Sequence, residues 1–144
     1  MGQFVRTKND VIINKITKIE SCLKRIGDTY TGKLIDLENF DIQDIVTVNL
    51  WRACQAAIDL AMHICMAEKL GAPQTSADAF EFLYNEEIIT KEVADKMKKM
   101  VGFRNIAAHD YQSLNLNILK NILDHHLTDF TDFTSFVLKT VKID

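Results

Sequence analysis

Arg104 and His109 lie five positions apart in Gly102-Phe103-Arg104-Asn105-Ile106-Ala107-Ala108-His109-Asp110-Tyr111, and their types are the ones in this chain best suited to chemistry. A guanidinium offers a planar fork to phosphate oxygens and can hold the charge that grows on a phosphoryl group in a transition state. An imidazole, with an ordinary pKa of about 6.5, takes or gives a proton near neutrality. The pair suits phosphodiester cleavage. In RNA the neighbouring 2′-hydroxyl is an internal nucleophile, so a histidine base, a histidine acid and a cationic clamp suffice without metal. Spacing alone is a weak signal, because such a pair can arise by chance.

The elements around the pair set the geometry. Arg104 falls on the helical stripe of Val93, Met97, Met100 and Val101. An arginine among apolar side chains is costly unless something pairs with it, so this stripe is expected to face a cleft or another subunit. Five residues of ideal helix turn through about 500°, which leaves positions 104 and 109 about 140° apart. Either the helix breaks before His109 or the site is assembled from two chains. A twofold dimer would supply two arginines and two histidines from one motif. Lys91, Lys96, Lys98 and Lys99 precede the motif with only Glu92 and Asp95 opposing them. Lys96, Lys98 and Lys99 are therefore candidates to hold an RNA backbone, with a plain solvated helix face as the alternative.

Periodicity outlines the scaffold. Ile12, Ile16, Ile19, Leu23 and Ile26 predict a first helix over 10–26, capped by Asn9 or Asp10 and ended by Gly27-Asp28. Residues 1–9 read as an irregular extension and 29–40 as a loop. A second helix starts near Asp41 and ends at Gly71, before Pro73. It carries two adjacent apolar stripes, Val46-Leu50-Ala53-Ala57-Leu60-Ile64-Ala67 and Trp51-Cys54-Ile58-Ala61-Cys65, and so should be central. A short third helix covers 76–84. Thr90 caps a fourth and Asn115 a fifth, whose Leu119, Leu123, Leu127, Phe130, Val137 and Val141 face inward. The fold class is all-α, an up-and-down bundle of about five helices forming one domain over 1–144.

Composition agrees. The 144 residues are 47% hydrophobic and 26% charged, with five Gly and one Pro, too few breakers for an all-β chain. A net charge of −3 argues against coating nucleic acid by bulk charge and leaves room for a local basic surface. Cys22, Cys54 and Cys65, odd in number and inside helical patterns, read as reduced core residues. The first ten residues hold no signal-type apolar run and no stretch reaches a membrane span, so a cytoplasmic protein is expected. His125 and His126 are adjacent and point to different sides of a helix, poor geometry for a ligand pair. No metal and no cofactor is expected.

Arg104-Asn105-Ile106-Ala107-Ala108-His109-Asp110-Tyr111 matches the RNxxxHxY form of the HEPN ribonuclease motif, and the chain resembles the HepT toxins. Ile12-Ile13-Asn14-Lys15-Ile16, Asn49-Leu50-Trp51-Arg52-Ala53-Cys54, Ile58-Asp59-Leu60-Ala61-Met62-His63-Ile64, Leu70-Gly71-Ala72-Pro73 and Lys98-Lys99-Met100-Val101-Gly102 resemble HepT segments in the expected order, over about 10–141. The resemblance implies a homodimeric bundle with a metal-independent endoribonuclease site between subunits. It makes Arg104 and His109 catalytic, with Asn105 supporting them. It implies a partner, the MntA nucleotidyltransferase antitoxin of a type VII toxin–antitoxin system, which neutralises the toxin by placing AMP on Tyr111. Gln55 stands where relatives often carry an acid, and Arg52, Gln55, Asp59 and His63 form a polar face that either lines the dimer groove or meets solvent. The alternative function is a non-catalytic subunit that binds substrate or scaffolds a nucleotidyltransferase.

Overall fold

The computed structural model describes residues 2–109 and 115–141, with side chains placed for 10–107 and 115–141. Those residues form seven helices and no strand: α1 Gly2–Thr29, α2 Leu34–Glu38, α3 Phe40–Ala67, α4 Ser76–Asn85, α5 Lys91–His109, α6 Leu116–His125 and α7 Leu127–Thr140. The all-α bundle stands. The count rises above five because a short helix occupies the expected loop and the last helix is divided.

The stripe of α1 is buried at Ile12, Ile16, Ile19, Cys22 and Ile26, with Leu23 half-buried. This face lies along α3, the most extensive helix pairing in the molecule. Both ends of α1 differ from expectation. Residues 2–9 are helical rather than irregular, so neither Asn9 nor Asp10 caps the start. At the other end the helix passes through Gly27. A Cβ there would meet nothing, so no close approach requires glycine, and its helix cost of about 1 kcal/mol is offset by the burial of Ile26 beside it. The chain turns at Gly32 instead, where φ is +93°.

Helix α2 escaped the periodicity because Leu37 is its one buried residue. The Asp36 carboxylate accepts from the Thr31 amide and hydroxyl, and those bonds hold its pKa below the usual carboxylate value. Asn39 starts α3 by accepting from the Asp41 and Ile42 amides at 2.9 and 3.2 Å.

Both apolar stripes of α3 are buried, except for the half-buried Trp51 and Ala67, and α1, α2, α4 and α5 all pack on it. Its end lies at Ala67 rather than Gly71. Lys69 takes the left-handed conformation with φ +57°, and the Leu70 and Lys69 amides donate to the Cys65 and Met66 carbonyls at 2.8 and 3.3 Å. This is a Schellman closure built on a lysine. Helix α4 ends the same way at Glu87, φ +59°, with Ile88 bonding back to Leu83 at 2.9 Å.

The start of α4 is a capping box, Thr75 with Asp78. Thr90 accepts from the Val93 amide at 3.2 Å at the head of α5, and Asn115 caps α6. Helices α6 and α7 part at His126, whose Nδ1 lies 2.9 Å from the buried carboxylate of Asp129. The inward stripe Leu119, Leu123, Phe130, Val137 and Val141 is buried across this break. Phe80 of α4 meets Phe133 of α7 edge to face, with centroids 5.4 Å apart, tying the middle of the chain to its last helix. None of the described helices is long and apolar enough to cross a membrane.

Candidate active site

Val93, Met97, Met100 and Val101 are buried, as the stripe requires, and Arg104 beside them is half-buried. Its guanidinium bridges two other helices. Nη1 donates to Gln55 Oε1 of α3 at 2.8 Å, and Nη2 donates to Ser76 Oγ, the first residue of α4, at 3.1 Å. Gln55 in turn donates through Nε2 to Asp59 Oδ1 at 2.9 Å, and Lys15 of α1 lies 3.5 Å from Asp59 Oδ2. The network fixes the cation without neutralising it, for both oxygens touching the guanidinium are neutral. No carboxylate among the described residues pairs with Arg104, and its Nε is buried without a hydrogen-bond partner.

The charge balance at this point is unusual. Ser76 stands at the N-terminus of α4, the positive end of a helix dipole. A guanidinium beside it adds like charge to like. Asp78 in the first turn of α4 offsets that helix end, so the charge left for an arriving anion is that of the guanidinium, held by two neutral acceptors. Cys54, beneath this surface at 1% exposure, has its thiol pushed up to about 12 by burial, with Arg104 acting weakly in the other direction.

The helix does not break before His109. Helix α5 is continuous from Lys91 to His109, so positions 104 and 109 keep the separation of about 140° that a regular helix imposes. Asn105 is exposed and forms no hydrogen bond with another described side chain. Tyr111 lies outside the described residues. Lys96 is paired with Glu92 at 3.0 Å and lies 3.7 Å from Asp129, and the bond to Glu92 raises its pKa. Lys98 is bound to Glu81. Lys99 is exposed and reaches a groove of about 420 Å³ between α5 and α6, whose walls include Phe103, Ile106 and Ile118. Two lysines of the basic run are thus occupied by carboxylates, Lys96 by its neighbour Glu92 and more distantly by Asp129, and Lys98 by Glu81, the last two acids lying 33 and 17 positions away in sequence.

On the polar face of α3, Gln55 holds the arginine and Asp59 holds Gln55. Ser76 was not singled out by any sequence signal. Its one mark is position, directly after the capping Thr75. No group of three or more His, Cys, Asp or Glu among the described residues is arranged to hold a metal ion.

A family model described as Ribonuclease HepT-like matches residues 12–137, which include Arg104 and His109. The chain belongs to this family. A HepT-like relative, the mRNA nuclease HepT of Shewanella oneidensis, is 47% identical over 129 residues, covering 90% of this chain and 97% of the relative. The tRNA nuclease HepT of Aphanizomenon flos-aquae is 32% identical over 108 residues, 69% of this chain and 73% of that one. The tri-AMPylated Shewanella oneidensis HEPN toxin, solved in complex with MNT antitoxin, superposes with a TM-score of 0.83 at 47% identity, over 89% of this chain and 96% of that one. The HepT-like fold also extends to YutE of Bacillus subtilis, with a TM-score of 0.79 at 17% identity, a likeness of fold alone.

Proposed function

We propose that this HepT-like chain is an endoribonuclease toxin whose site is completed by a second copy, with Arg104 clamping the scissile phosphate and His109 moving protons. The observation that carries the reading is the Arg104 guanidinium, held by two neutral oxygens beside a helix N-terminus and lacking a carboxylate among the described residues. Family membership and the nuclease relatives supply the substrate class. Continuity of α5 through His109 favours the two-chain alternative over a broken helix.

The chemistry follows from these parts. One histidine takes the proton of the ribose 2′-hydroxyl as its oxygen attacks phosphorus. The bond from phosphorus to the 5′-oxygen breaks, and the partner's histidine returns a proton to that oxygen. The products are a 2′,3′-cyclic phosphate and a free 5′-hydroxyl. Arginine forks hold the equatorial oxygens as their charge rises. Asn105, exposed beside the pair, supports the site from its rim, and Lys99 extends the contact to RNA. No cofactor takes part.

Control comes from a nucleotidyltransferase antitoxin of the MNT kind, as in the relative's complex. Tyr111 attacks the α-phosphate of ATP, pyrophosphate leaves, and AMP remains on the phenol oxygen. That anion competes for Arg104 and fills the substrate groove. The setting is the cytoplasm, where RNA and ATP are both present.

Purified protein is expected to cleave RNA in EDTA, with specific activity falling on dilution below the dimer dissociation constant. His109→Ala and Arg104→Ala each lower cleavage by about 10²-fold or more while helicity by circular dichroism is kept. Cleavage at an unchanged rate in either variant removes that residue from the mechanism. Activity independent of dilution, with a monomer by ultracentrifugation, removes the shared site. Mass spectrometry after incubation with the nucleotidyltransferase and ATP should find AMP on Tyr111.

A further inference from the structure

A second cationic site lies along the same face of α3. Lys18 and Arg25 of α1 and Arg52 of α3 line a pocket of about 400 Å³ together with Ser21, Cys22 and Asn49. No carboxylate lines it. None of the three cationic side chains forms an ion pair or hydrogen bond with another described residue, in contrast to Lys15 and Lys24 on the same helix, which pair with Asp59 and Asp28. The remaining lining is polar or small, and Asn49 is buried at 4% exposure with its amide donating to the Ile45 carbonyl at 2.8 Å. All three cations act on the buried Cys22 at the pocket floor, opposing the rise that burial gives its thiol.

Three like charges converging without a counter-ion repel one another, and in a chain of net charge −3 such a cluster is a local exception. An anion entering the pocket relieves that repulsion. The volume equals about a dozen waters at about 30 Å³ each, room for a phosphate and its sugar. Arginine forks and a serine hydroxyl are the donors a phosphodiester uses.

The placement connects this pocket to the cleavage site. Arg52 and Gln55 are three apart on α3, neighbours on one helix face about 4.5 Å apart along the axis. Gln55 holds Arg104. A strand whose scissile phosphate rests on Arg104 is thus led along α3 toward Arg52. We infer that the Lys18–Arg25–Arg52 pocket binds a backbone phosphate of the RNA substrate at a distance from the cleaved bond. The inference rests on the reading of the chain as an RNA-cleaving protein, and it moves the main electrostatic contact from the α5 lysines to the α1–α3 seam.

The test uses the full chain with His109→Ala, so that RNA is bound and not cut. Binding of a short single-stranded RNA is followed by fluorescence anisotropy across a salt series. Arg25→Gln with Arg52→Gln is expected to weaken binding about tenfold at low salt and to flatten the slope of log K against log salt by about 0.7, the value for one phosphate contact on a single strand. Arg52→Lys should retain most of the affinity. Both arginines are exposed, so the fold should persist, and circular dichroism checks it.

Unchanged affinity and slope in the folded double variant overturn the inference. So does a double variant that binds RNA normally and loses association with the nucleotidyltransferase, which would assign the pocket to a protein surface. In a separate arm, inorganic phosphate or AMP that perturbs the α1 and α3 amides in NMR spectra without competing with RNA marks a mononucleotide site and overturns it too. Failure here is separable from failure of the nuclease reading. A double variant that loses RNA binding while the parent protein does not cleave leaves the pocket standing and removes the catalysis.

Discussion

The lysine run of α5 and the arginine-lined seam between α1 and α3 look alike in composition and differ in what surrounds them. Lys96 and Lys98 are closed by Glu92, Asp129 and Glu81, whereas Lys18, Arg25 and Arg52 meet no carboxylate in their pocket. Arg104 belongs with the second kind, since a glutamine and a serine hold it. A cation already paired with an acid must break that pair before it serves a ligand. A cation held by neutral oxygens is oriented and keeps its full charge for whatever arrives. The sign of a surface therefore says less about binding than the company each charge keeps.

The largest test of this distinction is Arg104→Ala, expected to lower RNA cleavage by about 10²–10³-fold, the scale of losing one preorganised donor to a developing anion. Arg104→Lys should recover little, because one ammonium cannot reproduce the fork between Gln55 and Ser76. Single-turnover cleavage assays decide it, and a lysine variant near full rate would break the comparison. Next comes Gln55→Leu, which removes one of the two oxygens that position the guanidinium. A fall in kcat of about tenfold is expected with KM nearly unchanged, and Gln55→Glu, which would pair the guanidinium with a carboxylate and lose the donor to Asp59, should not restore the rate. An effect confined to KM would show that Gln55 contacts RNA directly. Smaller still, Lys96→Ala with Lys98→Ala should change RNA affinity by about twofold or less, since both charges are already matched. A loss as large as that expected for the Arg25 and Arg52 pair would erase the contrast.

The smallest effect concerns a third cluster, where Tyr30, Lys120 and Asp124 tie the end of α1 to α6. The bond from Lys120 and then that from Tyr30 hold the Asp124 carboxyl below its ordinary value, so its stabilising share is present above about pH 4 and is lost as pH falls through the depressed folded value. Burial, then the bond to Asp124, raises the Tyr30 phenol, so its share is complete below about pH 10 and disappears as pH climbs through the raised value. Thermal melts of Asp124→Asn should show a flatter acid limb than the parent and little change at neutrality. An identical acid limb would mean that the pair contributes nothing across water.

Much of the scaffold was legible because burial follows period. Most residues of the stripes that the spacing picked out on α1, α3, α6 and α7 are buried, with Leu23, Trp51, Ala67 and Leu127 left half-buried. Boundaries were harder. The stop of α3 depends on Lys69 in a left-handed conformation, a role sequence assigns by default to glycine, so Gly71 drew the boundary too late. Gly27 misled in the opposite sense, being an exposed glycine inside a helix held by its neighbours' packing. The single buried leucine of α2 leaves no period to read. The division at His126 costs too few residues to disturb the inward stripe. At the site, Arg104 declared itself through its apolar neighbours, but its partners are 49 and 28 positions away and appear only once α3, α4 and α5 are packed together.

Cys54, the residue before Gln55, has a side chain that is 1% exposed and a thiol raised to about 12, and Cys65 on the same helix is wholly enclosed. Alkylating reagents attack the thiolate, and neither sulfur offers one to solvent while the bundle is shut. Their labelling rate therefore counts excursions of the bundle into open states. The helix that anchors the guanidinium carries its own stopwatch for unfolding, readable by mass spectrometry without adding a probe.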